Sequence, residues 1–398
     1  MTDHKKTSLK TTNRRCSSTG ALRRRRLVGQ APKATNAVHS VNVIQGVPKN
    51  SAPTRKVCSA PPPASAETIL EESSGLNDDQ KIPKKDRRKL VLKNVQLWVG
   101  QALQKGVEGL AAEFQSISAQ ALPKGDFGVF AANTQAGKNR FKDVPCVEAT
   151  RVHLEGDDDY IHANFVGTPM APRRFICTQA PLESTTADFW KMVVQERIEK
   201  VLMLCDFVER NLSKSTNYFP LNQGETVSFF DFEVTNMEVR QMSFMDSPDL
   251  IVQTDLRVRS SRGMARVTHY HWRGFPDRSV PPVSGVLLSL LRDVRGSLRP
   301  IVVHCSAGIG RSGVAIAVEF LQERFNAGQA AESMRFLLPK LRSQRALCIQ
   351  TEAQYLYIHR IMFLYFSQKK LLEKSDALKK FCSDYDVFVE KFSKSIRL

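Results

Sequence analysis

The chain has no run of 18 or more apolar residues, and no apolar segment follows its first Lys pair, Lys5-Lys6. The first absence argues against a membrane-spanning helix and the second against a secretory leader, so the protein is expected to stay inside the cell. Its eight cysteines, Cys16, Cys58, Cys146, Cys177, Cys205, Cys305, Cys348 and Cys382, include no pair at CxxC spacing. That pattern argues against both a zinc site and a disulfide framework, and no metal or cofactor is expected. No internal repeat is seen.

What is present is uneven. The 398 residues, 42 % of them hydrophobic, can bury a substantial core in one large domain or two modest ones. Residues 1–90 carry 19 Lys and Arg against 7 Asp and Glu, which is +12 of the net charge of +18. This segment holds "RRRR" at 23–26, "APPPAS" at 60–65 and "KKDRRK" at 84–89, and it lacks sustained apolar periodicity. It is read as a disordered basic tail. The folded domain is expected over 91–370, and a C-terminal helical extension over 371–398. Three readings of the tail stay open: a nuclear-import signal, a patch for an acidic partner or an anionic membrane surface, and plain solubilising charge. Nucleic acid is not expected as a ligand, and the expected location is cytoplasmic, with a nuclear one through the basic clusters left open.

From Trp98 the apolar residues Leu103, Val107, Leu110, Phe114 and Ile117 are spaced by three and four, which predicts an amphipathic helix. A loop is expected through 131–146, then strands at 160–166 and 173–179. The stretch 184–196 opens on Ser and Thr and reads as a capped helix. "KVLMLC" at 200–205 is a continuous apolar run, as a strand covered on both faces requires. Three β-rich segments follow, "TVSFFDFEVT", "LIVQTDLRVR" and "ARVTHYHW", and the last third is mainly helical. Pro339 should kink or shorten its helix. The expected fold is α/β: a twisted mixed sheet with helices packed on its faces.

The most informative stretch is "RPIVVHCSAGIGRSGVAIAVEF" at 299–320. A buried strand ends at Cys305, a loop of small residues runs from Ser306 to Gly310, and a helix begins near Arg311. Such a loop lets backbone N–H groups turn toward one point, and the helix terminus adds partial positive charge there. A thiol facing that point is favoured as thiolate. Arg311 offers a planar fork for two phosphate oxygens. The string "HCSAGIGRSG" resembles the signature of the protein tyrosine phosphatases. Five further stretches resemble that family in its own order: "KNRFKDVPC", "DYIHANFV", "TQAPLESTTADFW", "HYHWRGFPDRSVP" and "IQTEAQY".

The resemblance implies a role for each residue. Cys305 attacks phosphorus, while Arg311 and the N–H groups of Ser306, Ala307, Gly308, Ile309 and Gly310 hold the phosphate oxygens. Ser312 eases departure of the sulfur, and His304 orients the loop and helps set the thiol pKa. Asp277 is the general acid and then the base. Gln350, assisted by Gln354, positions the hydrolytic water. Phe141 stacks on the substrate ring, Asp143 binds the substrate backbone, and Glu209 and Lys214 resemble the loop beside the acid, with plain surface charges as the open alternative.

The implied activity is hydrolysis of phosphotyrosine in proteins through a phosphocysteine, by a single-domain, non-receptor type. The alternatives are a catalytically weak phosphotyrosine-binding scaffold and a dual-specificity phosphatase. The chain also departs from the family pattern. Phe141 replaces a Tyr, Phe275 a Trp, Ser279 a Gly and Ala180 a Gly. Restoring the indole with Phe275→Trp is expected to raise turnover modestly if the pocket accommodates it. Trp272 is a second candidate for the donor that Phe275 lacks.

Overall fold

The structure is a computed structural model and describes residues 84–120, 127–244, 247–330 and 333–396. The expected disordered tail lies outside the described residues up to 83. Helix α1 runs from Lys84 to Ser118, so the boundary expected at 90 falls inside a helix. The predicted helix is also broken, because Gly106 sits at φ 66°, ψ −177°. Glycine takes a positive φ without the steric cost of a side chain, so the break falls there. On either side, Val95, Trp98, Val99 and Ala102, then Val107, Leu110, Phe114 and Ile117, are buried at helical spacing. Trp98 stacks on His359 at 5.0 Å and meets the edges of Phe325, Phe363 and Phe366.

Helix α2, Gly128–Gln135, takes the first five residues of the stretch expected to be a loop. Strands β1 (Arg151–His153), β2 (Tyr160–Thr168) and β3 (Ala171–Thr178) follow. Helix α3 (Thr186–Gln195) leads to β4 (Lys200–Met203). Thr185 precedes α3, but its hydroxyl accepts from Leu182 N–H and does not cap the helix. The two-residue strands β5 (Val208–Glu209) and β6 (Leu212–Ser213) form a small hairpin. The first β-rich segment divides into β7 (Thr226–Phe229) and β8 (Phe232–Phe244) around a turn in which Phe230 has φ 54°. Then come β9 (Ser247–Ser260) and β10 (Gly263–Trp272).

The last third supplies α4 (Val286–Val294), β11 (Ile301–His304), α5 (Gly310–Asn326), α6 (Met334–Gln344), α7 (Glu352–Gln368) and α8 (Asp376–Ser395). Helix α6 runs through Pro339 for five further residues, so the proline does not shorten it.

Nine strands form one mixed sheet in the order β1-β2-β3-β11-β4-β10-β9-β8-β7. Strands β3, β11, β4 and β10 run parallel at its centre, and the remaining neighbours are antiparallel. Every residue of β11 is buried, as is β4 after Lys200. A parallel centre with helices on its faces places loops at the carboxyl ends of the strands, where ligands bind in open α/β sheets. Cys305 follows the last residue of β11 at that end. Among the described residues, no helix is long and apolar enough to cross a membrane.

Candidate active site

The turn from β11 into α5 is fixed by its outward-facing carbonyls. Arg345, fully buried, donates from Nε to Gly308 O at 3.0 Å and from Nη2 to Ala307 O at 2.9 Å. Its Nη1 reaches Asn164 Oδ1 at 2.8 Å. Ser306 O accepts from Ala180 N–H at 2.9 Å. With these carbonyls tied outward, the N–H groups of the turn face its concave side. Gly308 has φ +65°, and a Cβ there would stand 2.0 Å from Thr178 O, so only glycine fits. A Cβ at Gly310 would meet the Gln354 amide at 2.9 Å and Gln350 Oε1 at 3.0 Å.

Cys305 is the described cysteine whose chemistry this turn changes. Burial raises its pKa, but the Arg311 charge, the Ser312 hydroxyl and the N–H groups of Ser312 and Ile309 outweigh it, so the thiol is shifted down. The other described cysteines go the opposite way. Burial pushes Cys146 up to about 11 and Cys348 up to about 12, and raises Cys177, Cys205 and Cys382 as well. The turn thus favours the thiolate form at 305, with Ser312 Oγ having no partner except the sulfur.

His304 is held neutral and bonds the backbone of Cys305. Burial holds its imidazole down at about 3, so it is neutral. Its Nδ1 lies 3.1 Å from Cys305 O, which can only accept, so Nδ1 carries the proton. Its Nε2 must then accept from the Tyr218 hydroxyl at 2.7 Å, and Tyr218 in turn accepts from His269 Nε2–H at 2.6 Å. The relay is fully buried. His304 orients the turn through this chain and contributes no charge to the thiol.

Arg311, 1 % exposed, stands beside the thiol with both of its Nη groups engaged. Glu209 takes it bidentately, Nη1 to Oε1 at 2.5 Å and Nη2 to Oε2 at 3.2 Å. Phe275 O accepts from Nη1 at 3.0 Å, and Asp277 Oδ1 from Nη2 at 2.9 Å. Lys214 Nζ donates to the other Asp277 oxygen at 2.6 Å. Glu209 and Lys214 are thus parts of the site and not surface charges. Burial raises the Asp277 pKa, but Arg311 and Lys214 outweigh it, so Asp277 is shifted below the usual carboxylate range.

The cleft above Cys305 measures about 640 Å3 and is lined by Phe141, Asp143, Lys214, Asp277, Ser306, Ala307, Gln350 and Gln354 among others. Every predicted group that should touch substrate thus lies in one cleft or in the turn beneath it. Gln354 Oε1 accepts from Gln350 N–H at 3.0 Å, while its buried Nε2 has no protein partner. The loop bearing Phe141 is anchored by Arg140, which donates to Ala180 O at 3.1 Å and Pro181 O at 2.7 Å. Trp272 does not replace the missing donor of Phe275. Its Nε1 is buried without a partner, and the two rings simply pack at 5.2 Å.

Arg345, Tyr218, His269 and Arg140 were not found from sequence, because each acts through a partner far along the chain. A further surprise is the C-terminal extension. Ser279 in the acid loop hydrogen-bonds Ser393 of α8 at 3.0 Å, and Arg210 donates to Ile396 O at 3.1 Å. Ser395 and Ile396 line the cleft.

The chain matches the model of one family, described as protein-tyrosine phosphatase, over residues 135–364. It is 30 % identical over 293 residues to tyrosine-protein phosphatase non-receptor type 9 of Rattus norvegicus, covering 68 % of this chain and 48 % of that protein. It is 32 % identical over 237 residues to the human receptor-type tyrosine-protein phosphatase zeta, covering 56 % of this chain and 10 % of that one. The chain therefore spans half or less of the length of these relatives. Among solved structures, the catalytic domain of human protein tyrosine phosphatase non-receptor type 18 superposes with a TM-score of 0.58 at 28 % identity, covering 64 % of this chain and 96 % of that one. A second structure shows PTPN18 in complex with HER2 phosphopeptides, with a TM-score of 0.57 at 28 % identity over 64 % of this chain and 99 % of that chain.

Proposed function

The chain belongs to the protein-tyrosine phosphatase family, and from that premise we propose that it hydrolyses phosphotyrosine in proteins through a phosphocysteine. The observation that carries this reading is the down-shifted Cys305 thiol beside the Arg311 guanidinium, beneath a cleft that also holds Asp277.

In the first half-reaction Cys305 Sγ attacks phosphorus in line. The P–O bond to the tyrosine phenol breaks, and the proton of Asp277 passes to the phenolate. Arg311 and the inward N–H groups hold the three equatorial oxygens as charge redistributes. Asp277 is a carboxylate in the free protein, paired with Arg311. An incoming phosphate dianion takes the guanidinium from it and adds negative charge nearby, and both changes raise the Asp277 pKa toward the protonated acid that this step needs. In the second half-reaction water, held by Gln350 and Gln354, attacks phosphorus. Its proton goes to Asp277, the S–P bond breaks, and the Ser312 hydroxyl supports the departing thiolate. No group is consumed.

Phe141 on the cleft wall supports phosphotyrosine over phosphoserine, since an aromatic wall stacks on a phenyl ring. Asp143 beside it binds the substrate backbone. The phosphopeptide complex of PTPN18 supports the same partner class. The presence of Cys305, Arg311 and Asp277 in one cleft favours turnover over the scaffold reading. The non-receptor class of one relative supports a place inside the cell.

The test is hydrolysis of a phosphotyrosine peptide by the full chain, with phosphoserine and phosphothreonine analogues alongside. Turnover of the first, a phosphocysteine seen by rapid-quench mass spectrometry and no activity in Cys305→Ser are expected. Appreciable turnover by Cys305→Ser overturns the nucleophile, and equal rates on all three peptides favour the dual-specificity reading.

A further inference from the structure

At the end of the sheet opposite Cys305, strand β10 outruns its neighbour. It pairs with β9 from Gly263 to Trp272, but its register with β4 begins only at Thr268 opposite Lys200. Before Lys200 the chain arrives from α3, so among the described residues no strand lies on that side of β10 along 263–267. Thr268 N–H donates to Glu199 O on that side at 2.9 Å. By the period of two, the peptide groups of Met264 and Arg266 face the same way. The open space there is a groove of about 1120 Å3, larger than the catalytic cleft.

The groove carries positive charge that the fold does not neutralise. Arg257 and Arg266 are direct cross-strand neighbours, an arrangement of like charges that costs stability. Among the described residues neither has a carboxylate within salt-bridge distance, and the same holds for Arg197 and Arg299, which also line the groove. Arg257 Nε is buried without a partner. The acids nearby are already engaged. Arg240 pairs with both Glu238, at 2.7 Å, and Asp255, at 3.0 Å, and Ser297 donates to Glu199 at 3.0 Å. Met264 and Met237, 58 % and 47 % exposed, add apolar surface.

We propose that this groove docks an extended acidic segment of a partner protein, which adds as a strand to the free edge of β10. The edge selects a peptide backbone, because only a backbone offers N–H and C=O groups in strand register. The arginines select Asp or Glu at alternate positions, and the side chains between them fall on the opposite face, beside Ala265 and Val267, which also line the groove and favour apolar groups. The site is remote from Cys305, so it stands whether or not the chain is a phosphatase.

The experiment measures fluorescence anisotropy of a fluorescein-labelled peptide of alternating Glu and Val against the full chain, with a Lys/Val peptide, polyglutamate and heparin as comparators. Saturable binding of the Glu/Val peptide alone is expected, weakened about tenfold or more by Arg257→Glu with Arg266→Glu. Met264→Pro deletes a groove-facing N–H without changing charge, and since that N–H points away from β9 the hairpin keeps its ladder. It should weaken binding comparably, and catalysis should be unchanged in each variant. As a readout that needs no variant, the peptide should slow hydrogen exchange at the Met264 and Arg266 amides. Exchange there that the bound peptide leaves unchanged overturns the strand, as does heparin binding that ignores Met264→Pro, which makes the groove a diffuse anion patch. No binding by the full chain also overturns the proposal. So does binding that appears only when the acidic residues between Glu67 and Asp79 are neutralised, because the groove would then belong to that segment of the chain itself.

Discussion

Asp277 Oδ1 lies 2.9 Å from Arg311 Nη2, so in the free protein the acid of the proposed reaction occupies the place beside the guanidinium that a phosphate oxygen must take. The carboxylate is a built-in competitor of the substrate. In the proposed reaction the same contact keeps Asp277 ionised while waiting, and the acid gains its proton when phosphate arrives.

Asp277→Ala should therefore separate affinity from turnover. Removing the competitor leaves Nη2 with Glu209 alone, so an unreactive phosphate mimic should bind several-fold more tightly. Turnover should fall by about 10²–10⁴-fold, the usual worth of a general acid. Titration calorimetry and steady-state kinetics on the same preparation check both halves. Weaker binding by the alanine variant would mean that Asp277 supports the anion site instead of competing for it.

The pair also sets a pH dependence of stability. A carboxyl with a depressed native pKa favours folding above its ordinary pKa of 3.8 and loses that contribution as pH falls through the depressed value. The melting temperature of the parent chain relative to Asp277→Asn should hence be constant at neutral pH and narrow below the ordinary carboxylate range. A difference that stays constant down to strongly acid pH would contradict the pairing.

Phe275→Trp, which the sequence suggests should raise turnover, is expected to lower it. Phe275 is fully buried, with Trp272 at 5.2 Å and Tyr357 at 6.0 Å. Forcing an indole into that space costs about 1–3 kcal/mol, more than one new hydrogen bond returns. Trp272→Phe removes an N–H that has no partner, so turnover should hold. Thermal melts and kcat for both variants decide the matter, and an unchanged melt with faster turnover in Phe275→Trp restores the simpler expectation.

That reversal illustrates what was legible in the sequence. The central strands β11 and β4 could be read because they are covered on both faces and so show as continuous apolar runs. The Cys305 turn could be read because its small residues, helix start and Arg311 are adjacent in the chain. Glu209 was ambiguous, since its partner Arg311 lies 102 residues away. Tyr218 and His304, 86 apart, and Arg345 with the turn it braces left no local pattern at all. A buried arginine reads like an exposed one until the carbonyls it satisfies are known. Gly106 looked like an ordinary helical residue because the apolar spacing continues across it.

The longest-range contact of the site carries the last prediction. Ser279 and Ser393 are 114 residues apart, and their 3.0 Å hydrogen bond ties the acid loop to the end of α8. The helix is itself anchored by Leu378, Phe381 and Tyr385, with Phe381 against Phe363 of α7 at 5.2 Å. It can therefore hold Ser393 still while the loop moves. One net hydrogen bond is worth about 0.5–1.5 kcal/mol, so Ser393→Ala should shift the loop away from its present position by up to about tenfold. Because the contact acts on the loop that bears Asp277, the loss should depend on the leaving group. Phenyl phosphate, which needs the acid, should slow several-fold, and 4-nitrophenyl phosphate, whose phenolate leaves readily, should slow much less. Ser393→Thr keeps the hydroxyl and should recover most of the rate, and adding Ser393→Ala to Ser279→Ala should cost nothing further. Equal slowing of both esters would reduce the contact to a general support of the fold, and unchanged rates would show that α8 does not hold the acid loop at all.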